Sequence, residues 1–234
     1  MLSVRPANVG TMSTEITVRG SFSAFRAPER GTVHASVSYH GPEKDWVYDQ
    51  VARDLDVVKH SIQRLEDGDS GAVASWSTAQ LRTWSHRPLD PVGDELPLVH
   101  VAKVGVEVEF RDLTALSRWV GEHVTNTEGF EISYVDWSLT TDSRDDLIRG
   151  VRTGAVQDAA ARAQLYADAV GLGTVAPVAI ADAGMLGGHT QSDGGMRNVM
   201  AEGAPTSGSP EVELVPRDIR VSATVDARFV AAAS

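Results

Sequence analysis

The segment AVQDAAARAQLYADAVGLG, residues 155–173, decides how this chain folds. Seven of its nineteen residues are alanine, the residue that costs least in a helix, and Gly171 offers the left-handed turn on which a helix stops. Upstream, Ser143 and Asp146 have the spacing of a capping box in DSRDDLIRG, so the pattern predicts a helix from about 143 to 170. Along it Leu147, Val151, Ala155, Ala159 and Ala163 recur every four residues, with Gly150, Gly154 and Ala167 as further small positions. Side chains this short let a helix lie close against a sheet or another helix. Arg152, Arg162, Asp158 and Asp168 are left for solvent or for another subunit.

Working outward, the apolar residues change from helical to strand spacing. Glu15–Phe25 and Val33–Tyr39 read as strands, with Pro28 and Gly31 in RAPERG suggesting a turn that pairs them as a hairpin. Trp46, Val47, Val51, Leu55, Val58, Ile62 and Leu65 predict an amphipathic helix over 43–66. The run from Ala72 to His86 reads as one strand, and RPLDPVGDELP as a polar connection. In Leu98–Phe110, Val104, Val106, Val108 and Phe110 alternate with Lys103, Gly105, Glu107 and Glu109, the pattern of a sheet covered on one side. Asp112 is placed to cap a helix over 113–124. Phe130–Leu139 is a strand whose apolar parity changes near Tyr134 and Val135, which points to a bulge or to contact on both faces. TVAPVAIAD is a short strand, and Ile219, Val221, Ala223, Val225, Ala227 and Phe229 mark a strong last one. The order ββαββαβαββ predicts an α+β fold, an antiparallel or mixed sheet with helices on one face. One domain is expected over 15–230, with two rough halves meeting near residue 90, a flexible N-terminus over 1–14 and a flexible glycine-rich loop over 185–210.

Composition narrows the function. With no cysteine among 234 residues, thiol chemistry and cysteine-held metal are excluded. The 21 basic against 32 acidic residues give a net charge of -11, a field that repels nucleic acid and anionic lipid. No apolar run approaches the ~20 residues of a membrane span, and the first residues lack a secretory core. The expectation is a soluble, cytoplasmic chain, exported only where a leader has been removed or is unconventional.

Three stretches carry a resemblance. AAARAQLYADAVGLGTVAPVAIAD, with FEISYVDWSLTTDSRDDLIRGVRTGAVQDA before it, resembles the C-terminal half of the SIMPL domain family. EITVRGSFSAFRAPERGTVHASVSYHG is similar to that family's first hairpin, with Val18, Gly20, Pro28 and Glu29 at its motif positions. PRDIRVSATVDARFV resembles its last strand through Pro216 and Ile219. The resemblance implies an α+β domain often assembled into larger oligomers, with bacterial members commonly exported and a kinase-associated animal relative. It implies no catalytic motif and no cofactor.

The remaining residues offer candidate chemistry. GDSG at 68–71 has the glycines and serine of a serine-protease nucleophile, but no histidine and aspartate segments accompany it, and a turn favours the same residues. His34 and His40 share a strand face but lie about 20 Å apart along it, too far for one ion. Asp182, His189 and Asp193 could converge from the loop on a metal, although a polar glycine-rich segment more often leaves such residues in solvent, and they are also the polar groups a hydrolase would use. Gly171–Gly173 follows a helix instead of opening one, so it lacks the amide-rich end that cradles phosphate. Glu107 and Glu109 read as alternating surface charge. Trp76, Trp84 and Trp137 fall on strands, the first two with the same parity, and are expected in a core, a subunit interface or an apolar ligand groove. The resulting expectation is a non-enzymatic, homo-oligomeric assembly or protein-interaction module without metal or cofactor. A small-ligand binder with a tryptophan-lined groove is the alternative, and a hydrolase using the 182–193 loop follows it.

Overall fold

A computed structural model describes residues 13–68, 71–89, 91–186 and 214–233. The flexible segments expected at 1–14 and 185–210 fall mostly outside these residues. The elements in chain order are β1 (Ser13–Arg26), β2 (Arg30–Gly41), α1 (Lys44–Asp67), β3 (Val73–Thr78), β4 (Arg82–His86), β5 (Val99–Phe110), α2 (Leu113–Asn126), β6 (Phe130–Ser138), α3 (Thr141–Ala169), β7 (Ala176–Asp182) and β8 (Ile219–Ala232). The α+β expectation holds, with two antiparallel sheets in place of one. Two compact units divide them: residues 1–26, 141–207 and 220–234 in the first, 27–140 and 208–219 in the second. Both sides of residue 90 fall within the second.

In the first unit the sheet order is β1-β8-β7. One sheet face presents Ile16 and Val18 of β1 with Val225, Ala227, Phe229 and Ala231 of β8, and the alanine stripe of α3 packs on it. Ala155, Ala159, Ala163 and Ala167 have no exposed surface at all. The approach is closest at Gly20, where a Cβ would stand 2.6 Å from the amide nitrogen and 2.7 Å from the Cβ of Ala159. Stubs on the helix and a glycine on the strand are therefore two halves of one close contact. Gly171 ends the helix at φ +71°, as its position predicts. Ser143, expected as the cap, lies inside the first turn because α3 begins two residues earlier. Its carbonyl accepts a hydrogen bond from Arg26 Nη1 at 3.0 Å.

The opposite face of this sheet carries ions. Arg19 Nε donates to Asp226 Oδ1 at 2.7 Å, and the Gly184 amide donates to Asp226 Oδ2 at 2.7 Å. The Arg19 hydrogen bonds hold the Asp226 carboxyl below the usual carboxylate range, against its burial and with help from Gly184.

In the second unit the order is β3-β5-β2-β6, with β4 also paired to β5. Val33, Ala35 and Val37 of β2 meet Val104, Val106, Val108 and Phe110 of β5 on the face that α1 and α2 cover through Val47, Val51, Val58, Ile62, Leu116, Trp119 and Val120. Helices thus lie on one face, as the one-sided strands predict. Asp112 caps α2 by accepting from the amides of Thr114 and Ala115. Of the bulge or two-faced contact expected near Tyr134, the bulge is present: His34 pairs with Tyr134 and Ala35 with Ile132, leaving Ser133 extra.

The expected β1–β2 hairpin does not form, since the two strands belong to different sheets. The Pro28–Glu29 link is occupied otherwise: the Glu29 amide donates to the Ser138 carbonyl at 2.9 Å, and its carboxylate accepts from the Thr140 amide at 3.0 Å and hydroxyl at 2.5 Å. This fastens the start of β2 to the end of β6. Gly31 makes no turn. It sits inside β2, where a Cβ would strike Leu116 Cδ1 at 2.5 Å and the Trp137 ring at 2.8 Å.

Candidate functional site

The face of the five-stranded sheet turned away from α1 and α2 collects the polar residues of its strands. His34, on β2, stands opposite Glu107 of β5 and Tyr134 of β6. Its ring stacks on Tyr134 at 4.3 Å, with Nδ1 3.5 Å from Glu107 Oε2 and Nε2 3.4 Å from Asp136 Oδ2. The two carboxylates approach opposite ring nitrogens, so they clamp the imidazole and do not converge on a common point. His40 pairs with Val101 at the far end of the strand. Among the described residues, no three histidines, aspartates or glutamates gather as a metal site. Glu107 and Glu109 each have a partner: His34 for the first, Arg30 at 3.7 Å and the Ser75 hydroxyl at 3.1 Å for the second.

A second histidine cluster, with no signal in the local sequence pattern, lies in the core of the same unit. Ser61 Oγ donates to the Val58 carbonyl at 2.6 Å and accepts from Trp119 Nε1 at 2.8 Å. Its single proton is thereby used, so the 2.7 Å contact with His123 requires Nε2–H to donate. Nδ1 then accepts from the Thr127 hydroxyl at 2.9 Å. Every polar atom of the imidazole is satisfied in the neutral form, and burial lowers its pKa, with Arg64 adding to the shift and Glu122 opposing it. A serine with its proton committed to a carbonyl is no nucleophile, and this group fastens α1 to α2. Only distance in sequence hid it: 62 residues separate Ser61 from His123.

The three tryptophans part company. Trp76 pairs with Val108 on the core side, and its Nε1 donates to Glu66 Oε2 at 2.9 Å. Trp137 packs against the same core. Trp84 pairs with Val101 on the opposite face and is 46% exposed. The residues expected as one strand over 72–86 form two, β3 and β4, both paired with β5. Between them Ala79, Gln80 and Leu81 span only Val104 and Gly105 of the partner. One extra residue reverses every side chain beyond it, so equal parity sends Trp76 and Trp84 to opposite faces. Leu81 is the sequence signal that could have shown this, being the next core-packed residue after Trp76 and of opposite parity.

Around Trp84 two open hollows form. One, of about 260 Å³, is lined by Lys44, Thr83, Trp84, Ser85 and His100 over a floor of Val47, Val101 and Ala102. The other, of about 450 Å³, is lined by Arg82, Trp84 and Lys103. Of the remaining candidates, Asp182 is exposed at the end of β7, while His189, Asp193 and the Asp69–Ser70 pair of GDSG lie outside the described residues. Gly171 and Gly173 serve the helix stop: the Gly171 amide donates to the Asp168 carbonyl and the Gly173 amide to the Ala232 carbonyl.

The structure defines an α+β protein of two antiparallel sheets, each with helix against one face. The chain belongs to the SIMPL family, whose model, described as a protein of unknown function (DUF541), matches residues 16–229. No curated protein matches it. Among the described residues no helix is long and apolar enough to cross a membrane.

Proposed function

We propose that this SIMPL protein works as a homo-oligomeric assembly module and catalyses no reaction of its own. The observation that carries the reading is the apolar surface of the first unit. Leu165 and Tyr166 of α3 are 66% and 59% exposed, Val170 just beyond its end is 68% exposed, and Val178 and Ile180 of β7 are 56% and 50% exposed. The alanine stripe supports it too, because a helix that spends its small residues on its own sheet leaves its larger apolar ones facing outward. β7 is an edge strand, and the sequence APVAIAD contains no lysine to guard it; Pro177 and the bulge at Val178 blunt only its first half. Apolar surface of this kind, beside an open strand edge, favours association with further copies. Light scattering on the eluting protein tests this: a discrete oligomer that Leu165→Glu and Ile180→Glu reduce to monomer is expected. A wild-type monomer at tens of micromolar would refute it.

A further inference from the structure

On the face of the second unit's sheet turned away from α1 and α2, strand register separates charge into two ends. Arg82 of β4 and Lys103 of β5 stand directly opposite each other, a like-charge pair that an antiparallel ladder disfavours. Neither has an ion-pair partner among the described residues. Further along β5, Glu107 stands opposite Ser77 of β3, and Glu109 and Asp136 occupy the next row. Arg82, Lys103, Ser77 and Glu107 are all exposed. The row between the two ends consists of small residues, Ala79, Gly105 and Ser36.

Lys103 and Glu107 are equally far from Gly105, about 7 Å along the strand in opposite directions. A twofold axis lying in the face along the row of Ala79, Gly105 and Ser36 therefore exchanges the two ends. It sets Lys103 of one copy over Glu107 of the other, and Arg82 over Ser77, the direct cross-strand neighbour of that glutamate. Each contact then occurs twice. An axis parallel to the strands would instead lay every row on itself, cations on cations. The small middle row lets the two sheets approach where the axis runs.

We infer that this face docks on the same face of a second copy across that axis, the anionic end of each supplying the counter-charge that Arg82 and Lys103 lack. The contact is separate from the apolar surface of the first unit. Four strand widths by eight residues give roughly 20 Å by 27 Å, or about 500 Å² from each copy, the low end of specific interfaces. Glu131, at the β6 end of the middle row, approaches its own copy and repels it. Small area and this repulsion make the pair weak alone, with a Kd on the order of 0.1 mM. Within an assembly joined through the first unit, an effective concentration of about 1 mM or more populates it.

Sedimentation equilibrium tests this on the full chain carrying Leu165→Glu and Ile180→Glu, which remove the first-unit contact, at up to about 0.5 mM. A monomer–dimer equilibrium is expected. Lys103→Glu and Glu107→Lys should each weaken it about tenfold or more. Glu107→Lys is the sharper case: it makes the chain less acidic, so relief of general repulsion between two acidic chains would tighten association instead. Mixed in equal amounts, the two variants should pair with each other about as tightly as their parent, since each contact between positions 103 and 107 then joins a lysine to a glutamate. Circular dichroism checks that each variant is folded. A persistent monomer at about 0.5 mM, a Glu107→Lys chain that dimerises as well as its parent, or a mixture that stays monomeric would overturn the inference. A wild-type monomer at tens of micromolar overturns the first-unit reading alone, and the same charge variants then test this face on the otherwise unsubstituted chain.

Discussion

Adding one methyl group at Gly20 tests the close contact on which the first unit depends. In Gly20→Ala the new Cβ would lie 2.6 Å from the Ala159 amide nitrogen and 2.7 Å from its Cβ, and closer still to the Ala155 carbonyl oxygen. Carbon atoms pack best at about 3.5–4.0 Å, so β1 and α3 must separate by about 1 Å, a gap that forfeits a quarter to a half of each contact's attraction along the alanine stripe. Two of the three obstructing atoms are backbone and cannot rotate away. Overpacking of this kind costs about 1–3 kcal/mol, and the upper end applies here. Against it, alanine restricts the unfolded chain and returns about 0.4–1 kcal/mol. A net loss of about 2 kcal/mol is expected, or about 4–8 °C in Tm for a chain of this size. Urea titration followed by circular dichroism measures it. Gly150→Ala is the control: Gly150 is an exposed residue inside α3 with nothing within 4 Å of the added Cβ, so helix propensity alone should stabilise it by about 0.5–1 kcal/mol. Ala159→Gly should not rescue Gly20→Ala, since the Ala155 carbonyl and Ala159 amide remain. A Gly20→Ala protein as stable as wild type, or stabilised as Gly150→Ala is expected to be, would refute the close-packing argument.

The alanines should answer in the same way: Ala163→Leu, at a position with no exposed surface, is expected to cost about 3 kcal/mol in the same urea titration. His123 has its folded pKa lowered by burial, so its contribution is present above about pH 6.5 and is lost as pH falls through the lower folded value. His123→Gln should therefore flatten the fall in urea midpoint between pH 7 and pH 5, even if it lowers the midpoint throughout. Asp226 is depressed by its Arg19 hydrogen bonds, so its contribution holds above about pH 3.9 and disappears as pH falls through the folded value. Asp226→Ala should cost about 1–3 kcal/mol at pH 7 by leaving the Gly184 amide and Arg19 without their acceptor, and should reduce the acid sensitivity below pH 4.

Whatever depends on near neighbours in the chain was legible beforehand. The four-residue spacing of Val151, Ala155, Ala159 and Ala163 fixed the buried stripe of α3, and Gly171 fixed its end. Alternation in β5 and β8 fixed which side chains are inside and Asp112 the start of α2, while the parity change at Tyr134 marked where β6 bulges. Helix and strand periods are written within a few residues, so one sequence suffices to read them. Pairing is different. Arg19 finds Asp226 207 residues away, and nothing near Pro28 announces that β1 takes β8 as its partner instead of β2. The Ser61–His123 cluster is hidden for the same reason. At Trp84 the tertiary structure decided most: one surplus residue among Ala79, Gln80 and Leu81 reverses the strand and moves the indole from the core to a cationic surface, because side chains alternate with a period of two and register alone chooses the face.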